Sequence, residues 1–66
     1  MQIVVNGQPR AATERLPLPS LIEELQLGGR RVAVELNGSI VPRSAWADTR
    51  LADGDRLEIV HAIGGG

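Results

Sequence analysis

The residues of this chain best suited to chemistry are its last three, Gly64, Gly65 and Gly66. Strands rarely end in a run of glycine, because glycine loses the most conformational entropy on ordering. A frayed terminus without a role would end the same way. What distinguishes this one is what glycine lacks. Without Cβ, a chain can thread a narrow channel and approach another backbone closely. Three extended residues reach about 10 Å at 3.3–3.6 Å each, enough to carry the Gly66 carboxylate out of a domain and into a second protein's active site. A phosphate-cradling loop is excluded, because such a loop must be followed by a helix.

A free α-carboxylate is ionised at neutral pH and is a poor acyl electrophile. It must be activated before a nucleophile can attack it, for instance as an acyl-adenylate. Nothing in the sequence binds ATP: neither a Walker-type Gly-x-x-x-x-Gly-Lys nor a dinucleotide-binding glycine fingerprint is present. The activating enzyme is therefore expected to be a separate chain. Cysteine is absent, so no thiol can serve as nucleophile or metal ligand, and sulfur carried by this chain would have to ride on the carboxylate itself as a thiocarboxylate. Lysine is also absent, so an activated Gly66 would meet few amines in its own chain. His61 is the single histidine, which argues against a zinc or transition-metal site. No acid or nucleophile is placed to make it a general base, and it reads as an exposed strand residue.

Composition narrows the function class. Sixty-six residues make one small domain, with little room for an enclosed cleft beside its core. Seven arginines are scattered and outnumbered by eight acids, and Trp46 is the only aromatic residue. Nucleic-acid binding is not expected, for lack of a basic stripe and of stacking platforms. No apolar run approaches the length of a membrane-spanning helix, and no secretory signal is visible. A cytoplasmic setting is expected.

The elements that would position the tail follow from periodicity. Met1 to Val5 reads as a strand with Ile3 and Val5 on one face, then Asn6-Gly7 as a type I′ hairpin turn. Gln8 to Thr13 returns as a polar strand, with Pro9 suited to an edge. Leu18, Leu21, Ile22 and Leu25 fall on one helix face over Leu16–Leu27. Pro17 and Pro19 hold its start near Leu18, Glu23 and Glu24 lie on the wet face, and Gly28-Gly29 supplies a left-handed exit. Val32, Val34 and Leu36 alternate as a third strand, and a second Asn-Gly turn, Asn37-Gly38, leads into a short fourth strand over Ser39–Val41 that Pro42 stops. Arg43 to Ala47 can form one helical turn that folds Trp46 over one end of the core. Asp53-Gly54-Asp55 is a tight turn rather than a carboxylate pair. Arg56 to Ile63 is the fifth strand, with Leu57 and Ile59 inward.

The order strand, strand, helix, strand, strand, strand predicts an α+β fold of the ubiquitin-like β-grasp type. A mixed five-stranded sheet packs on one helix, with one sheet face wet and any parallel connection across the helix right-handed. The expected division is a β-grasp domain over residues 1–63 and a flexible C-terminal glycine tail over 64–66. If Leu57 and Ile59 face the core, Val60 falls on the open sheet face, where it and Ile63 would make a docking spot beside the tail. The alternative is a bulge that turns one of the two inward. Arg43, Arg50 and Arg56 are available for docking, though scattered charges are usually just solvated.

The string Leu36-Asn37-Gly38-Ser39-Ile40-Val41-Pro42-Arg43, then Trp46-Ala47, then Leu51-Ala52-Asp53-Gly54-Asp55 and Ile59, closing with Gly65-Gly66, resembles the sulfur-carrier family of thiamin biosynthesis (ThiS). The opening strand with Asn6-Gly7 and the helix around Leu21 and Leu25 are consistent with it, so the resemblance covers essentially the whole chain. Val-Pro-Arg-x-x-Trp-Ala ahead of Asp-Gly-Asp is its specific part. The terminal Gly-Gly is common to all ubiquitin-like carriers. Gly64 stands where alanine is also found in the family, and the proline-rich helix entry departs from it as well.

The resemblance implies a carrier rather than an enzyme, with no stably bound cofactor. It implies that Gly66 is adenylated by a ThiF-type adenylyltransferase using ATP and Mg²⁺, is converted to a thiocarboxylate by a sulfur donor such as a cysteine-desulfurase relay, and gives its sulfur to the thiazole synthase ThiG. Gly64, Gly65 and Gly66 would enter the partner's active site. Two other readings stand beside it. The small subunit of molybdopterin synthase shares fold and tail but is usually longer and does not typically carry the Val-Pro-Arg-x-x-Trp string. A ubiquitin-like interaction module would bind through its open sheet face and make no use of the carboxylate.

Overall fold

The computed structural model describes residues 1–61. Its elements are β1 (Gln2–Val5), β2 (Gln8–Ala11), α1 (Leu18–Glu24), β3 (Val32–Leu36), β4 (Ser39–Ile40), a 3₁₀ helix (Arg43–Asp48) and β5 (Arg56–His61). The strands form one mixed sheet in the order β2-β1-β5-β3-β4. Only β1 and β5 run parallel, with Val4 beside Arg56 and Val5 beside Leu57; the other pairs are antiparallel. This is the β-grasp arrangement that the element order predicts. The segment crossing the helix joins β2 and β3, which are not neighbours, so the parallel contact belongs to β1 and β5.

Both Asn-Gly pairs make the turns their chemistry favours. Asn6 and Gly7 have φ of 51° and 82°, and Asn37 and Gly38 have 51° and 86°, the double positive φ of a type I′ turn. Pro9 lies on the edge strand β2, where its missing N–H leaves no ladder bond unmade. Strand β2 stops at Ala11, short of the expected Thr13, and β4 is two residues long, with Val41 outside it.

A seven-residue helix is marginal on propensity alone; α1 persists because it is packed and tied. Leu18 and Leu21 are fully buried and Ile22 nearly so, among Ile3, Val5, Leu16, Val34, Trp46, Leu51, Leu57 and Ile59. Full burial of one such side chain is worth about 1.5–3 kcal/mol. No side chain caps the start of α1. Instead the Leu18 N–H donates to the Thr49 carbonyl (2.9 Å), and the Leu51 N–H to that of Leu16 (2.9 Å).

The exit of α1 corrects the sequence expectation. The helix ends at Glu24, and the left-handed residue is Gln26 (φ 61°) rather than Gly28 or Gly29. The Gln26 N–H donates to the Glu23 carbonyl and the Leu27 N–H to that of Ile22, the two bonds of a Schellman motif. Leu25 becomes the cap and is only half-buried. The early exit lets Leu27 pack against the core, which offsets the strain of glutamine at positive φ. Gly29, at φ 81°, makes a separate turn on the way to β3.

Trp46 is buried and donates from Nε1 to the Val41 carbonyl at 3.0 Å. The Arg43 guanidinium lies over its ring, 4.9 Å from the centroid. The expected helical turn is thus present as 3₁₀, with Trp46 closing one end of the core.

Candidate functional site

Strand β5 leads toward the C terminus and sits inside the sheet, between β1 and β3. Its alternation is regular: Leu57 and Ile59 are buried, while Arg56, Glu58 and Val60 are exposed. Pairing with β3 continues in register through Val60 opposite Ala33 and His61 opposite Val32. No bulge turns Val60 inward, and it lies on the open face at 57% exposure. The other expected site residues, Ile63, Gly64, Gly65 and Gly66, lie outside the described residues, as does the expected boundary between residues 63 and 64.

Two asparagines tie β5 down. The Asn6 side-chain amide bonds both backbone groups of Ile59. The Asn37 Oδ1 accepts from the Arg56 N–H at 2.9 Å, and its Nδ2 donates to Asp55 Oδ1 at 3.0 Å. Asp55 also accepts from the Ala52 N–H through Oδ2 (2.8 Å), closing the turn in which Gly54 takes φ 86°. Asp53 accepts from the Gln2 N–H at 2.7 Å. Both aspartates are thus engaged in holding the entry to β5, the turn-forming role their spacing predicts. Strand β5 is held by side chains from both hairpins and from the turn before it.

The described surface offers little catalytic chemistry of its own. Among the described residues, no group of three or more histidine, cysteine, aspartate or glutamate side chains gathers to hold a metal ion. His61 is exposed at the end of β5. An open groove of about 270 Å³ lies between α1 and the 3₁₀ helix, lined in part by Ile22, Glu23, Arg43 and Trp46. It is on the helix side of the sheet, away from Val60.

Sequence reasoning missed two features of the open face. Ile40 is 64% exposed there. The two-residue turn at Asn37-Gly38 already implied its position, since it sets Leu36 opposite Ser39 and Glu35 opposite Ile40. Glu35 also stands directly opposite Glu58. That pair depends on how β3 and β5 align across the sheet, for which the sequence carries no local signal.

A model of the ThiS family matches residues 3–66. The sulfur carrier protein ThiS of Escherichia coli (strain K12) is 33% identical over 66 residues, covering all of both chains. A thiazole synthase of Paramagnetospirillum magneticum is 46% identical over the whole of this chain, but the chain spans only 20% of that protein. The crystal structure of the thiamine biosynthesis protein ThiS from Geobacter metallireducens superimposes with a TM-score of 0.87 at 36% identity, covering 100% of each chain.

Proposed function

The chain belongs to the ThiS family, and from that premise we propose that it is a sulfur carrier for thiamin biosynthesis whose working group is the Gly66 carboxylate. A partner adenylyltransferase of the ThiF type, using ATP and Mg²⁺, joins this carboxylate to AMP and releases pyrophosphate. The terminal sulfur of a persulfide, supplied by a cysteine-desulfurase relay, then attacks the acyl carbon and expels AMP. A thiol cleaves the resulting acyl disulfide, forming its own disulfide and leaving a thiocarboxylate on Gly66. Thiazole synthase takes the sulfur from there. The chain's own part is to hold a narrow arm, Gly64 to Gly66, on a rigid strand and present it to these enzymes.

The observation that carries this reading is the family match, which runs through Gly66. The thiazole synthase that contains a stretch similar to this chain supports the thiazole branch over the molybdenum cofactor. The lack of cysteine supports the carboxylate as the sulfur-bearing group. The exposed Val60 supports partner docking on the open face, a role the sequence reading extends to Ile63. The reading sets the chain in the cytoplasm with its partner enzymes. Among the described residues, no helix is long and apolar enough to cross a membrane.

The test is intact-mass analysis after incubation with the adenylyltransferase, ATP, Mg²⁺ and a persulfide donor. One oxygen should be replaced by sulfur, with fragmentation placing the change on Gly66. Deleting Gly66 should abolish the change and leave the fold intact; continued sulfur transfer by the truncated chain refutes the proposal. A short C-terminal extension should be equally inactivating, whereas a non-covalent interaction module would tolerate it.

A further inference from the structure

The two Asn-Gly pairs hold a reactive group that the proposed function leaves unused. In this dipeptide the glycine nitrogen, with no side chain on its own residue to hinder it, can attack the asparagine side-chain carbonyl carbon and close a five-membered imide. The intrinsic chemistry of the two sites is alike: glycine follows each asparagine, and an aliphatic residue, Val5 or Leu36, precedes it. Both asparagines stand at φ 51° in a two-residue turn. Attack requires the backbone to rotate out of that turn and the side-chain amide to release its partners. What separates the sites is how firmly each is held.

Asn6 is held firmly. Its amide bonds both backbone groups of Ile59, a residue only 5% exposed on the central strand β5. Its hairpin pairs four positions, from Gln2 opposite Ala11 to Val5 opposite Gln8. Asn37 is held by less. Both of its side-chain bonds are exposed, one from the Arg56 N–H to Oδ1 and one from Nδ2 to the Asp55 carboxylate. Its hairpin pairs only Glu35 with Ile40 and Leu36 with Ser39, extended by one bond from the Val41 N–H to the Val34 carbonyl. Strand β4 is also an edge of the sheet. Short elements with exposed hydrogen bonds open first within a folded protein.

We propose that Asn37 is a site of spontaneous deamidation in the folded chain, and that the ring with Ile59 protects Asn6. The Gly38 nitrogen gives up its proton and bonds to Asn37 Cγ. The Cγ–Nδ2 bond breaks, and the side-chain nitrogen takes up a proton and leaves as ammonia. One water then opens the succinimide at either of its carbonyls, giving aspartate or its isoaspartyl isomer. The net change is ammonia for water, with no oxidant or reductant. The aspartyl product lacks the Nδ2 donor and sets a second carboxylate against Asp55, whose Oδ2 holds the Ala52 N–H at 2.8 Å. The isoaspartyl product lengthens the main chain by one methylene and breaks the fit of the turn between β3 and β4. Either product loosens the entry to β5 at Arg56. The modification is independent of the sulfur-carrier function, because it uses neither Gly66 nor a partner.

The experiment incubates the full chain at neutral pH, folded and in parallel in denaturing urea. Peptide mapping with electron-transfer fragmentation follows both turns and tells aspartate from isoaspartate. In the folded chain Asn37 should convert at least about tenfold faster than Asn6, a ratio that reports the difference in local opening. In urea the two should convert alike. Equal rates in the folded chain, or faster conversion at Asn6, overturn the proposal. So does a folded chain whose Asn37 stays intact over the time in which the unfolded chain converts fully. A difference that persists in urea overturns the structural account, since it would come from the neighbouring sequence. Asn37→Asp supplies the aspartyl product directly. Its urea midpoint should lie below that of wild type, with a deficit that shrinks as salt is added; an unchanged midpoint overturns the coupling to Asp55.

Discussion

The side-chain amide of Asn6 closes a two-bond ring with the backbone of Ile59: Nδ2 donates to the Ile59 carbonyl at 3.0 Å, and Oδ1 accepts from the Ile59 N–H at 2.7 Å. The two residues are 53 positions apart. The ring continues the parallel β1–β5 ladder one step past Val5, where the β1 backbone has already turned away at φ 51°. One residue thereby starts the first hairpin and fastens the last strand, two residues before the described chain ends.

Replacing Asn6 by alanine removes both bonds, each worth about 0.5–1.5 kcal/mol net. It also places alanine in a left-handed conformation that costs it about 1–2 kcal/mol. Urea unfolding should show a loss of about 2–5 kcal/mol. Asn6→Asp keeps the turn conformation and the acceptor but not the donor, and should fall between wild type and alanine. Equal stability of all three proteins would remove the ring from the account of how β5 is held.

Gln26 ends α1 in a conformation that glycine adopts without steric cost. Gln26→Gly should therefore raise stability by about 0.5–1 kcal/mol. Gly29→Ala should lower it by about 1 kcal/mol, since φ there is 81° although space for a Cβ is open. A destabilising Gln26→Gly would show that the glutamine side chain contributes more than the backbone strain removes.

Trp46 is the largest side chain closing the core, and its indole N–H satisfies the Val41 carbonyl. Trp46→Ala should cost about 3–5 kcal/mol, a large part of the stability of a domain this small, and thermal melting should show the loss directly. Trp46→Phe keeps most of the volume but orphans that carbonyl, so a loss of about 1–3 kcal/mol is expected.

Glu35 and Glu58 oppose each other, and among the described residues neither forms an ion pair. Either single change to glutamine should stabilise the free chain by about 0.2–1 kcal/mol, less at high salt. The double variant should gain less than the sum of the two singles, because each relieves the same repulsion. Additive gains would mean that the two carboxylates do not sense one another.

Much of this architecture was legible in the sequence because it is local. Asn6-Gly7 and Asn37-Gly38 each demand positive φ at two successive residues, which few dipeptides tolerate, so both hairpins could be read directly. Leu18, Leu21 and Ile22 share a face by helical spacing, and the flanking prolines set where the helix begins. The helix exit was misread because Gly28 and Gly29 are the usual residues for it. The pull of Leu27 toward the core outweighed that preference and placed Gln26 in the strained position.

The sequence by itself determined the turns, the helix face, the alternation of β5 and the composition that framed the proposal: three closing glycines in a sequence with no thiol and no ATP-binding motif. Those features depend on residue type and on spacing over a few positions. Only the tertiary structure decided that β1 lies parallel to β5, that Asn6 meets Ile59, and that Glu35 faces Glu58 between Ile40 and Val60. Each of these joins residues far apart in the chain. Their alignment is set by which strands bury their apolar faces together, a property of the whole sheet that no short stretch of sequence contains.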